Sequence, residues 1–274
     1  MSAQRLARTV ALAVIIGIGL FNLYAAATHW TLSDAGAYWQ AGLRIRDGEP
    51  LYPVLTNVDA SEVYRYAPWF AWAAVPFTFL PQQLAGALWS VILLVASAVA
   101  LVPLARARAW LLLVFFAPIL VGISAVGNVQ PLLVAPLVWG VERRAGPLAI
   151  GAAASLKIFP ILFALVYLGR GQWWRAAAAV AVAAVLWAPA LLYDLRGYAT
   201  DAGQAASLIG VPVLWALVVG VGAGMTLRLS RSGSRWRWLA AATTVVISLP
   251  RLFVYDVTYL MVGAAPQKRS SPPE

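Results

Sequence analysis

The chain has 274 residues, of which 62% are hydrophobic and only 11% charged, with a mean hydropathy of +0.79. This composition excludes a soluble domain and describes a polytopic membrane protein with a single integral domain over residues 1–265. The absence of cysteine and the single histidine, His29, remove disulfide frameworks, thiolate metal sites and histidine-rich metal sites. The formal charge of +10 lies at the ends of apolar runs, with no basic stripe interleaved with exposed aromatics. The cations therefore read as anchors to anionic lipid heads, and nucleic acid is not an expected partner.

Arg5 and Arg8 precede the first apolar run, Val10 to Ala27. The run is long for a signal peptide, and His29 and Trp30 stand where a cleavage site would need small residues, so it reads as a retained spanning helix. With the N-terminus cytoplasmic, residues 28–66 form an extracytoplasmic loop. Asp34, Asp47, Glu49, Asp59 and Glu62, half of the ten acidic residues, fall there. Within the loop, "SDAGAYWQAGLRIRDG" predicts an amphipathic helix with Ser33 or Asp34 as N-cap and Gly48 as terminator. It is expected to lie on the membrane surface with Tyr38 and Trp39 facing down.

Ala67 to Leu80, broken by Pro68, Pro76 and Pro81, is too short for a comfortable span and is expected to dip in and turn back. Gln83 to Leu104 then crosses inward, Trp110 to Ala125 crosses outward, and Leu132 to Trp139 returns after the turn "GNVQP". Gly146 to Gly169 carries Lys157 and Pro160 at its middle and is predicted to be two half-helices meeting near the midplane. Ala176 to Leu192 and Val211 to Leu227 follow, then a short pair, Leu239 to Leu249 and Leu252 to Val262. On this path the cytoplasmic side gathers fourteen of the twenty basic residues: Arg5, Arg8, Arg106, Arg108, Arg143, Arg144, Arg170, Arg175, Arg228, Arg231, Arg235, Arg237, Lys268 and Arg269. A topology in which Ala67 to Leu80 spans fully would place Arg106 and Arg108 outside. Residues 266–274 read as a disordered Pro/Ser tail.

Asp34 has two readings: a helix cap, or a general base set at the wall of a cleft beside a reacting hydroxyl. "DAGAYWQAGLRIRDGEPLYP", "YRYAPWFAWAAVPFTFLP", "GNVQPLL" and "AGPLAIGAAASLKIFPILFALVYLGRGQWWR", in that order, resemble the polytopic glycosyltransferases of family 87 over roughly residues 6–195. That family has the GT-C fold and includes mannosyltransferases using polyprenyl-phosphate sugars; arabinosyltransferases of related families use similar donors. The resemblance implies an all-α, GT-C-like helical bundle in the plasma membrane with an extracytoplasmic active site. Transfer of mannose or arabinose from a polyprenyl-phosphate donor to a glycolipid or polysaccharide acceptor would follow, with inversion and without cofactor or metal.

By the same resemblance Asp34 is the catalytic base. Lys157 suits the developing phosphate charge, since a cation inside a hydrophobic segment is costly; snorkelling to an interface is the other reading. Asn128 and Gln130 are expected to hydrogen-bond the phosphate or sugar, or else simply to make a polar turn. Arg65 and Arg251 are further phosphate candidates, although an intramembrane ion pair of Arg251 with Asp256 accounts for Arg251 more simply. Tyr38, Tyr52, Tyr64 and Tyr66 could stack on sugars, and Glu62 is a further acceptor contact. Asp194 and Asp201 lie in a possible second outer loop. The chain is short beside this family and its likeness loosens after Leu195, where acceptor recognition is expected. A transporter or flippase, read from the broken helix around Lys157, and a non-catalytic scaffold are the alternative functions.

Overall fold

The computed structural model describes residues 32–54, 63–198 and 207–264, together with eight helical positions between Thr9 and Tyr24. Every described element is helical, and the chain is an all-α membrane protein. In chain order the elements are α1 (Ser33–Asp47), α2 (Pro68–Ala74) with a 3-10 extension (Val75–Phe79), α3 (Gln82–Arg106), α4 (Trp110–Val126) and α5 (Gln130–Gly140). There follow α6 (Gly146–Leu156), a 3-10 turn (Phe159–Phe163), α7 (Ala164–Gly169) and α8 (Trp173–Trp187) with a 3-10 extension (Ala188–Leu192). A 3-10 turn (Leu208–Gly210), α9 (Pro212–Arg231), α10 (Arg237–Ser248), a 3-10 stretch (Val254–Leu260) and α11 (Met261–Ala264) complete the chain.

Among the described residues, α3, α8 with its extension, and α9 are long and apolar enough to cross a membrane. At about 1.5 Å per residue, α3 extends for about 37 Å against a hydrocarbon core of about 30 Å. Its exposed face carries Leu84, Leu88, Val91, Val95 and Val99, while Ala85, Gly86, Ser90, Ala96, Ser97 and Ala100 are buried. Small residues inward and branched aliphatics outward are what a lipid-facing helix requires, because close backbone approach, not hydrophobicity, drives packing inside a bilayer. α2 with its 3-10 extension covers only Pro68 to Phe79, and extended backbone at Leu80 separates it from α3. It is too short to span, as its prolines suggest.

α1 departs from the expectation in two respects. Ser33 and Asp34 do not cap it: the N-cap is Leu32, in a left-handed conformation at φ 48°, and Asp34 falls in the first turn. Its carboxylate is committed to a partner across the fold, described below, which is why it does not close on its own helix. The aromatic side rests on protein and not on lipid. Tyr38 is buried edge-on against Phe70 and Trp89, and the Trp39 indole donates to the carbonyls of Phe77 at 3.2 Å and Leu80 at 3.3 Å. The helix ends at Gly48, φ 73°, as its sequence indicates.

The interruption at Lys157 is as the sequence predicts. α6 stops at Leu156, Lys157 adopts extended backbone (φ −135°, ψ 114°), and the chain resumes as 3-10 turn and α7. α5 begins beside α1 and ends at the turn carrying Glu142. That side chain accepts from Arg170 at 2.7 Å, Arg237 at 2.7 Å and the Trp238 indole at 2.6 Å. Arg106 and Arg143 converge on the Trp139 ring, 5.4 and 5.3 Å from its centre. The fold thus collects basic clusters from α3, the α5–α6 turn, the α7–α8 turn and the start of α10 at the end of the bundle remote from α1.

Candidate active site

The site forms where the first turn of α1 meets the α4–α5 turn. Gly127 ends α4 at φ 86°, a conformation that L side chains rarely adopt, and a Cβ there would stand 2.5 Å from Cβ of Ala35. This close approach, held by the Trp89 indole donating to the Gly127 carbonyl at 2.8 Å, brings Asn128 against α1. The Asn128 amide then donates to Oδ2 of Asp34 at 2.6 Å, and its Oδ1 accepts from the Gln130 backbone at 2.9 Å. Asn128 is therefore oriented from both ends, with its N–H fixed toward the carboxylate.

Asp34 is half-buried. Burial raises its pKa above the ordinary value of 3.8, while the Asn128 hydrogen bond and the charges of Lys157 and Arg65 pull it back. The balance is a carboxylate whose pKa stands above the ordinary value, which makes its ionised form a better proton acceptor than a solvated one.

Gln130 is fully buried and bridges the site to the far end of the sequence. Its Oε1 accepts from Lys157 Nζ at 2.9 Å, and its Nε2 donates to Thr258 Oγ1 at 3.1 Å. Lys157 is also paired with Asp256 at 3.0 Å and lies 4.6 Å from the centre of the Tyr255 ring. This corrects the expected pairing of Asp256 with Arg251: the carboxylate is taken by Lys157, and Arg251 stacks 5.6 Å over Phe253. The extended backbone at Lys157 projects its side chain out of helical register, toward the segment that carries Asp256. It is held by protein groups and does not snorkel.

The tyrosines divide. Tyr38, Tyr52 and Tyr64 are buried. Tyr38 donates to the Tyr66 hydroxyl at 3.2 Å, and Tyr52 and Tyr64 donate to the carbonyls of Tyr66 and Ala67 at 2.8 Å each, so these rings brace the wall behind the site. Tyr66, half-buried, lies within electrostatic reach of Lys157, Asp34 and Asp256. The carbonyl of Arg65 accepts from Tyr198 at 3.2 Å, and its guanidinium acts on Asp34.

Tyr193 to Tyr198 folds over this wall. Tyr198 packs edge-on against Tyr52 at 5.3 Å, and the Tyr193 hydroxyl accepts from the Trp72 indole at 2.9 Å. Asp194 is exposed and paired with Arg196, 2.8 Å from its Nε. Glu62, Asp59 and Asp201 lie outside the described residues, as do the tail 266–274 and much of the first apolar run. Among the described residues no group of three or more His, Cys, Asp or Glu could hold a metal ion.

Beneath the first turn of α1 an apolar pocket opens, lined in part by Ala35, Tyr38, Trp39, Phe77 and Trp89. Ala35 of this apolar lining is the residue next to Asp34 in the chain.

The sequence reading missed Asp256 and Thr258 as members of this network. An acid inside the apolar "LPRLFVYDVTYL" was the available signal, and nearness in sequence assigned it to Arg251.

No curated protein and no solved structure matches the chain. The model of glycosyltransferase family 87 matches residues 64–198. The matched stretch includes Tyr64, Arg65, Tyr66, Asn128, Gln130 and Lys157, while Asp34 and Asp256 reach the same site from either side of it. Over residues 64–198, just under half of the chain, the protein is similar to glycosyltransferase family 87, and that likeness supports a membrane glycosyltransferase.

Proposed function

We propose that the protein transfers a sugar, mannose or arabinose, from a polyprenyl-phosphate donor to a lipid-linked or polysaccharide acceptor at the extracytoplasmic face of the plasma membrane. Its helices would form a GT-C-like bundle, with the N-terminus cytoplasmic. The observation that carries the reading is the half-buried Asp34 carboxylate, oriented by Asn128 and set within the field of two cations, Lys157 and Arg65.

In the proposed reaction the acceptor hydroxyl oxygen attacks the anomeric carbon from the face opposite the phosphate. Its proton passes to Asp34, the bond between the anomeric carbon and the phosphate oxygen breaks, and its electron pair leaves on polyprenyl phosphate. One bond forms as one breaks, so configuration inverts. The leaving group is already a phosphate and needs no strong general acid; Lys157, with Arg65 and Arg251 as further cations, would stabilise its added negative charge. The apolar pocket under α1 offers lipid chains a surface next to the polar site. Tyr66 is the tyrosine best placed to meet a sugar, since Tyr38, Tyr52 and Tyr64 are buried.

The test is to incubate membranes containing the protein with radiolabelled polyprenyl-phosphate-mannose or polyprenyl-phosphate-arabinose and crude glycolipid acceptor, and to determine the anomeric configuration of any product. Transfer with inversion from either donor is the expected result. Retention of configuration would overturn the single-displacement mechanism, and no transfer from either donor would overturn the donor assignment.

A further inference from the structure

The stretch from Val254 to Ala264 lies beyond the part of the chain that matches the family, yet two of its side chains reach the centre of the site. Asp256 is only 1% exposed and engages both carboxylate oxygens: Oδ1 accepts from Lys157 Nζ and Oδ2 from the Phe253 backbone amide, each at 3.0 Å. Thr258, fully buried, accepts from the Gln130 amide at 3.1 Å and so turns Gln130 Oε1 toward Lys157, 2.9 Å away. The ammonium is therefore gripped by two groups that accept hydrogen bonds, with the Tyr255 ring 4.6 Å away, and among the described residues no third acceptor takes the last of its three N–H donors. Because Lys157 interrupts the helix, these two contacts, and not a helix face, decide where its nitrogen sits. A cation in so apolar a wall would lose its proton or withdraw without a carboxylate beside it.

We infer that Asp256 is a positioning residue of the transfer site: it keeps Lys157 charged and fixes its ammonium so that the remaining N–H meets the phosphate of the lipid-linked donor. The role toward phosphate rests on the transferase reading above; the hold on Lys157 rests on the geometry alone.

Two arms test the two parts in the purified full-length protein. The chain has only two lysines, Lys157 and Lys268, so acetylation by acetic anhydride can be read at Lys157 by mass spectrometry. Asp256→Asn is expected to raise the acetylation rate of Lys157 about tenfold, the change in free amine that one pKa unit produces. Asp256→Glu should restore protection. Equal rates in the native chain and Asp256→Asn would overturn the hold on Lys157.

In the second arm, Asp256→Asn should lower kcat/KM for polyprenyl-phosphate-mannose or -arabinose by about tenfold or more, the scale of losing a placed electrostatic group, with acceptor KM unchanged. Lys157→Met combined with Asp256→Asn should be no worse than Lys157→Met alone, and this pair leaves no unpaired buried charge if the single variant folds poorly. Additive losses, or equal loss toward both substrates, would overturn the positioning role. If the native chain transfers from neither donor, the phosphate role falls with the transferase reading, while acetylation still decides whether Asp256 holds Lys157.

Discussion

Asp34 and Asn128 make the central pair, and the electrostatics of that pair set a pH dependence. A general base works in its ionised form, so with Asp34 as the proposed base the rate should rise as pH passes upward through its pKa and level off above it. Burial moves that pKa up and the Asn128 hydrogen bond moves it down. Replacing Asn128 by Leu removes a contribution that lowers the pKa, so the acid limb of the kcat/KM profile shifts to higher pH. At a fixed pH on that limb Asn128→Leu is slower than the native chain, and it recovers as pH is raised. The measurement is the profile of both proteins over the same range; an unshifted limb would show that the titrating group is not Asp34.

The residues legible in the sequence were those whose chemistry is out of place in an apolar chain, such as Asp34, Lys157 and Asn128. Their partners were less legible. Ninety-four positions separate Asp34 from Asn128 and ninety-nine separate Lys157 from Asp256, and no local pattern encodes contacts at such separation.

Among elements, the break at Lys157 and the short α2 followed from the placement of Pro160, Pro68, Pro76 and Pro81, because proline lacks an amide donor and favours the start or end of a helix, although Pro103, Pro118 and Pro136 are carried inside α3, α4 and α5. The surroundings of α1 did not follow. An amphipathic stretch has the same pattern whether its apolar face meets lipid or protein, and here Gly42 decides: a Cβ there would stand 2.9 Å from the Ala74 carbonyl carbon, so α1 is seated directly on α2. The α4–α5 turn depends on a second glycine in the same way. Gly127→Ala should cost about 1–3 kcal/mol, the range for a strained left-handed residue, with the clash against Ala35 added. Thermal unfolding should show that loss, and displacement of Asn128 should lower transfer beyond what the loss of folded protein explains. A substitution neutral in both assays would show that the turn does not set the site.

For the whole molecule, the sequence separated acids from bases by segment, and the fold turns that separation into two ends. Arg106, Arg143, Arg170 and Arg237 come from distant segments and meet around Trp139 and Glu142, while Asp34 lies by the opposite ends of α3 and α5. By the positive-inside rule the basic end is expected in the cytoplasm. Because the chain has no cysteine, single-cysteine variants report topology directly. Glu49→Cys should react with a membrane-impermeant maleimide added outside intact cells, and Arg144→Cys should react only after the membrane is opened. The reverse pattern would place the site on the cytoplasmic side and remove a donor whose head lies at the outer surface.

The most direct measurement compares the native chain with Asp34→Asn, in which the carboxylate alone is exchanged for an isosteric amide. Both would be assayed for binding of radiolabelled polyprenyl-phosphate sugar and for its transfer to acceptor. With Asp34 as the base, the variant retains donor binding and its transfer falls by a factor of about 10²–10⁴, the usual contribution of a positioned general base. Native rates of transfer in Asp34→Asn would contradict the assignment and leave the site without its base.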